Sequence, residues 1–358
     1  MKYEYWFANV KGISNARKCE IRQGMKSLEA LYYIEETALK KYDLQEKECE
    51  AILDSIRNWE VNEEYQKLEQ KGIRCITVCH EEYPRRLLEI ASAPYALYIK
   101  GKLPEGAKKA VAIVGARECS SYGQAMARKF AKTLASAGVQ IISGMARGVD
   151  SAGQSAALEA GGESFGVLGC GVDICYPREQ IELYMALQRQ GGVISEFPPG
   201  TAPLSQHFPA RNRIISGLAD VVLVIEAKEK SGSLITADMA LEQGKDVYAL
   251  PGPINSRLSM GCNTLIKQGA GILLSPEELL TDLNLCHVNQ GEKNQQKKLL
   301  LESDENMVYS CLDFHPQNLE QLMRVTKFSV TQLLDVLMSL ELKGLIEEIS
   351  KNYYVKIK

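Results

Sequence analysis

Three short segments carry most of the side chains that could bind an anion. HFPARNRIISG at 207–217 places Arg211 and Arg213 on either side of Asn212, just after Phe208. VGARECSSYG brings Gly115 and Arg117 to the end of an apolar run, with Ser120 and Ser121 at the start of the next helical stretch. EAKEKSGSLITA ends a second apolar run and supplies Lys228, Ser231, Gly232 and Ser233. A guanidinium is a rigid fork of donors, and the free amides of a turn or helix start add donors and a positive field, so phosphate is the ligand these residue types suit. SGMARGVD adds Ser143 and Gly144, and the YPR turn adds Arg178. Asp150, in the same SGMARGVD run, reads as a helix N-cap and thus as structural.

Catalysis finds little to work with, and no catalytic residue, metal or cofactor is expected. The four histidines stand at 80, 207, 287 and 315, and no GxSxG elbow, HExxH or P-loop GxxxxGK[ST] is present. GCGVD at 169–173 lacks the third glycine of a dinucleotide turn. His207, near Glu196 and Asp173 in the chain, reads as a hydrogen-bonded structural or base-contacting residue. The ten cysteines show no regular spacing and imply reduced thiols; Cys75, Cys79 and His80 in CITVCH read as buried structural residues. Formal net charge is −3, balanced along the chain, so any nucleic-acid binding must use a few placed cations rather than a broad basic field.

These segments need a frame, and the central sequence supplies one. From 106 to 283, short apolar runs alternate with amphipathic, Ala-rich stretches: AVAIVG, VQIISG, ESFGVLG, VISEF, DVVLVIEA and DVYALPG. Continuous apolar strands separated by helices predict a parallel sheet covered on both faces, a Rossmann-like doubly wound α/β domain whose ligands bind at the carboxyl ends of the strands. Before it, residues 1–105 predict a helical domain of the SAM or helix-hairpin-helix type, with VKGISNARKCEIRQ as a turn between helices and short extended segments near the end. After it, residues 284–305 have linker composition, and 306–358 predict a winged helix in which Ser329 caps the third helix and Gly344 closes it. That helix contains Asp335 and Glu341 but no cation before Lys343, which argues for docking rather than duplex reading. No apolar run approaches the roughly 18 residues of a spanning helix, and the N-terminus lacks a signal-peptide core; a cytoplasmic protein with no membrane association is expected.

In order, GAR, SGMARGVD, GVDICYP, SEFPPG, FPARNRIISGLAD, EAKEKSGSLITA and ALPG resemble the motifs of the DNA-processing protein A (DprA/Smf) family across almost the whole central region. The resemblance implies a non-enzymatic protein of natural transformation. Such a protein binds incoming single-stranded DNA, dimerises through the Rossmann-like domain and loads the RecA recombinase. It makes Arg117, Arg211, Asn212, Lys228 and Ser231–Ser233 phosphate-contact candidates and Phe208 a surface for base stacking. Ser205 and Gln206 stand where some relatives carry a basic residue. Two further readings stay open. One is a nucleotide-acting enzyme like the phosphoribohydrolases, although KSGSLITA lacks their PGGxGTxxE. The other is a transcription regulator led by the winged helix. Of Arg211 and Arg213, one is expected to face phosphate and the other to pair with Glu196 or Glu226.

Overall fold

The structure, a computed structural model of the 358-residue chain, describes residues 1–25, 27–39, 42–285, 303–312 and 316–356. His287, His315 and most of the segment assigned as linker lie outside the described residues. Two compact units are present, Met1–Cys286 and His287–Lys358.

The first unit is built on a nine-stranded sheet. Its strands in chain order are β1 (Arg74–Thr77), β2 (Ala96–Gly101), β3 (Ala110–Val114), β4 (Gln140–Ser143), β5 (Ser164–Val167), β6 (Gly191–Ser195), β7 (Val221–Val224), β8 (Asp246–Ala249) and β9 (Gly271–Ile272). They lie side by side as β1-β2-β6-β5-β4-β3-β7-β8-β9. From β6 to β9 every pairing is parallel, while β1 and β2 join antiparallel at one edge. The sheet therefore begins well before residue 106. RCIT and ALYIKG lie within a mainly helical segment, yet ALYIKG pairs onto β6 and RCIT onto ALYIKG, burying Cys75, Ile76 and Leu97–Ile99.

Strand β3 shows how the two faces are covered. Ala110, Ala112 and Val114 pack against Ile214, Ile215 and Leu218 of the helix His207–Leu218 and against Ala237 and Ala240 of Gly232–Glu242. The alternate residues Val111 and Ile113 meet Ala127, Phe130 and Leu134 of Ser121–Ser136 and Val149 and Ala156 of Val149–Glu159. A strand with apolar residues on both faces and small side chains on one of them lets the helices approach closely. The chain runs outward from β3 through β4, β5 and β6, then returns to place β7 on the other flank of β3. The loops after β3 and β7 thus diverge, leaving a crevice at the carboxyl ends of the strands.

Around β1, β2 and β6, the helices of the first 70 residues bury Trp6, Phe7, Leu28, Leu31, Leu39 and Ile52 in a core that also takes in Tyr95 and Tyr98. Cys75 is buried, whereas Cys79 is exposed and His80 accepts the Glu82 N–H through Nδ1, so only the first of the CITVCH trio is a core residue.

The second unit holds the helices Ser303–Cys311, Leu319–Thr326 and Val330–Leu342 and a three-stranded sheet. Its strands β10 (Gln317–Asn318), β11 (Ile346–Ser350) and β12 (Tyr353–Lys356) lie in the order β10-β12-β11. Val308, Leu322, Leu333, Leu337, Leu340 and Ile346 form its own core. Ser329 caps the third helix by accepting the Gln332 N–H, as its sequence position predicts, and this is the helix-turn-helix and wing of a winged helix. Among the described residues no helix is long and apolar enough to cross a membrane.

Candidate functional site

The crevice between the loops after β3 and β7 opens into a groove of about 590 Å³ lined by Gly115, Arg117, Tyr176, Phe208, Arg211, Asn212 and Lys230–Ser233, among others. A second hollow of about 650 Å³ shares Arg117, Tyr176 and Phe208 and extends to Arg147 and Arg178. Sequence-distant segments thus meet on one surface. Arg117, Arg178, Lys228 and Lys230 are all exposed, and none has an ion-pair partner among the described residues. Arg147, by contrast, is paired with Glu179.

Phe208 is the hub of this surface. Its ring lies 5.4 Å from that of Tyr176, and the guanidinium carbons of Arg117 and Arg211 stand 5.7 and 5.9 Å from its centroid. Gly169 allows the approach from below, since a Cβ there would come within 2.9 Å of the Phe208 ring. The result is an aromatic platform flanked by cations, with the Tyr176 ring open to solvent.

The two arginines of RNR part company. Arg213 forms a forked pair with Glu196, at 2.5 and 2.7 Å, and donates to the Ser92 carbonyl at 2.9 Å. Arg211 is turned inward and only 5% exposed. It donates to the carbonyls of Gly144, at 3.1 Å, and Val167, and to Asn212 Oδ1 at 3.2 Å. Burial pushes its guanidinium down to about 10, opposed by the charge of Asp150, and burial likewise raises the Asp150 carboxyl while Arg211 draws it back. Each of the two charges thus offsets part of the desolvation of the other. Asn212 carries the chain of contacts outward by donating to the Gly232 carbonyl at 3.2 Å. Arg211 is therefore the floor of the groove rather than its surface cation, a consequence of its place on the sheet-facing side of the helix start.

Several expected contacts are already committed within the protein. The Ser143 hydroxyl is buried and donates to the Ile113 carbonyl at 2.6 Å. The Gly144 N–H donates to Asp150 Oδ2 at 3.1 Å, so neither residue of this pair faces the groove with a free donor. Asp150 is not an N-cap: Gly148 holds that position, and the carboxylate instead ties down the loop through the amides of Gly144 and Ala146. His207 stacks on Phe197 at 4.1 Å and bonds the Gly169 carbonyl through Nδ1, which is the structural role expected.

Glu226 does not meet an arginine. It accepts from the Ser120 N–H at 2.8 Å and the Ser120 hydroxyl at 2.5 Å, at the start of the 121–136 helix. Gly123 makes room for it, because a Cβ at that position would fall on the carboxylate. The helix start that the sequence offered to a phosphate is thus filled by the protein's own anion. Across the crevice Ser231 caps the 232–242 helix by accepting the Ser233 N–H, while Gly232 lies exposed at its first position. GCGVD is a loop anchor: Asp173 accepts from the Gly200 N–H at 2.7 Å and pairs with Lys71 at 2.9 Å.

Lys230 and Tyr176 belong to this surface and were not singled out in the sequence, although each neighbours a residue that was. The signal was available in KEKSG and in YPR, where a charge or ring within two residues of a candidate shares its loop.

A family model for DNA recombination-mediator protein A matches residues 74–284, which span the sheet and every segment of the groove. The chain belongs to that family. A second model, for the DprA winged helix domain, matches residues 292–350. Protein Smf of Escherichia coli strain K12 is 48% identical over 217 residues, which cover 60% of this chain and 58% of that protein, less than two thirds of its length. Among solved structures, DNA processing protein A from Streptococcus pneumoniae superposes with a TM-score of 0.68 at 32% identity, covering 79% of this chain and 98% of that one. The Helicobacter pylori DNA processing protein A, described in terms of its single-stranded DNA binding mode, gives 0.53 at 29% identity, covering 60% and 97%.

Proposed function

We propose that this chain binds single-stranded DNA across the groove at the carboxyl ends of β3 and β7, as a non-enzymatic DNA-processing protein of natural transformation. One observation carries the reading: Arg117, Arg178 and Lys230, exposed and without ion-pair partners among the described residues, line the hollows that hold the ring pair of Tyr176 and Phe208, and Lys228, equally unpaired there, lines an adjoining hollow with Arg117 and Lys230. Phosphates take the cations and the exposed amide of Gly232, and a base stacks on the open Tyr176 ring backed by Phe208. Arg211 and Asn212 act beneath, by holding the 207–218 helix start and the Gly232 loop in register. Such binding tolerates any base sequence, because every base has a stacking face and every nucleotide a phosphate. The single-stranded DNA binding mode of the Helicobacter pylori protein supports this choice of ligand. Family membership further supports a homodimer that loads a RecA-type recombinase onto the bound strand, in the cytoplasm.

Titrating the full chain with single- and double-stranded oligonucleotides at two salt concentrations tests the reading. Tighter, salt-sensitive binding of the single strand, weakened by Arg117→Ala and by Lys228→Ala, is expected. Unchanged affinity in both variants would overturn it, and release of base from nucleoside monophosphates would favour the nucleotide-acting alternative. That alternative is disfavoured by Glu226, which occupies the anion seat of the 121–136 helix.

A further inference from the structure

We propose that the exposed face of the 330–342 helix is a contact between two copies of this chain, packed antiparallel about a two-fold axis between Leu334 and Met338. This inference concerns the second unit alone and stands whether or not the groove binds DNA. The helix buries Leu333, Leu337 and Leu340 in its own core, yet a flanking, exposed side is also apolar. Val330, Leu334, Met338 and Leu342 recur every fourth residue and are 47, 39, 64 and 81% exposed. Residues four apart form one ridge on a helix, and such a ridge packs into the matching groove of a second helix. This ridge runs for about 18 Å at 1.5 Å per residue.

The position is the one a winged helix uses to enter a DNA groove, but duplex binding requires cations toward phosphates. The ridge has none, and Glu341 lies within its face. Apart from Asp335, exposed at its edge in mid-helix, what the face does carry is charge separated along its length. Lys327, the left-handed C-cap of the 319–326 helix, and Arg324 before it are exposed at the Val330 end. Glu341 is exposed at the Leu342 end, and none of the three has an ion-pair partner among the described residues. A parallel pairing would set like charges together at both ends. The antiparallel two-fold pairing sets Lys327 of each copy against Glu341 of the other, while Leu334 meets Met338 and Val330 meets Leu342. An isologous contact of this kind uses one patch twice and needs no further partner.

The test is self-association of the full chain without DNA, followed by sedimentation over a concentration series. Met338→Asp should lower the association constant at least tenfold, and Leu334→Gln should weaken it in the same direction; both side chains are exposed, so thermal unfolding should match the parent. Lys327→Glu and Glu341→Lys should each weaken association, and the double swap should restore it toward the parent value. One constant shared by the parent and all variants would mean that any dimer is held by the first unit alone, and the proposal fails. It also fails if the double swap is as weak as the single changes, or if Met338→Asp leaves association intact while abolishing binding of a duplex oligonucleotide.

Discussion

The groove of the first unit and the outer face of the 330–342 helix occupy the places where their folds usually meet ligands, yet they are finished with opposite chemistry. The groove holds cations without ion-pair partners among the described residues beside two rings, over a floor of committed polar groups. The helix face is an apolar ridge edged by Asp335, with opposite charges at its two ends. Fold alone would assign nucleic acid to both. Placement of charge relative to apolar surface separates them, since a phosphate backbone rewards exposed cations and a second protein surface rewards desolvated apolar side chains.

The sharpest break would come from the floor. Arg211→Ala leaves Asp150 buried without its counter-charge, and denaturant unfolding should show a loss of about 3–5 kcal/mol, whereas exposed Arg117→Ala should leave stability unchanged. Equal stability in the two variants would dissolve the distinction between floor and surface. Next in size, Tyr176→Ala should weaken single-stranded DNA by about 1–3 kcal/mol through lost stacking, while Met338→Asp should leave that affinity alone. If the helix variant matched the groove variant in this titration, the two surfaces would share one ligand. For Arg117→Ala, the plot of log affinity against log salt should become shallower by about 0.7 for the one phosphate contact removed. Smallest of all, Glu118→Gln removes a carboxylate from the wall beside Arg117 and should tighten binding by about 0.2–1 kcal/mol in low salt.

Much of this was legible in the sequence. Short β-branched runs such as AVAIV and VVLV, alternating with amphipathic stretches, read as strands buried on both faces, so the parallel sheet and its ligand end followed from texture. The winged helix followed from Ser329, Gly344 and the helical spacing between them. Strands β1 and β2 were harder, because RCIT pairs only with ALYIKG, and ALYIKG joins the sheet through β6, nearly a hundred residues away. Side-chain direction was hidden for the same reason. Nothing in RNR tells which arginine turns to the sheet, and nothing in DVVLVIEA tells that Glu226 reaches Ser120 rather than a cation. Tyr176 and Lys230 were missed because Arg178 and Lys228 read as the binding groups of their turns and the next ring or charge was passed over.

Glu226 at the head of the 121–136 helix has a wider consequence. In nucleotide-binding relatives of this architecture that seat is where a cofactor's phosphates report the cell's energy or redox state to the protein. Here a glycine-cleared internal carboxylate holds it permanently. An adenylate or nicotinamide dinucleotide would have to evict a buried anion to enter, so metabolic supply has no lever at this point. On the proposed reading, strand capture answers to the DNA itself and to the ionic strength around it.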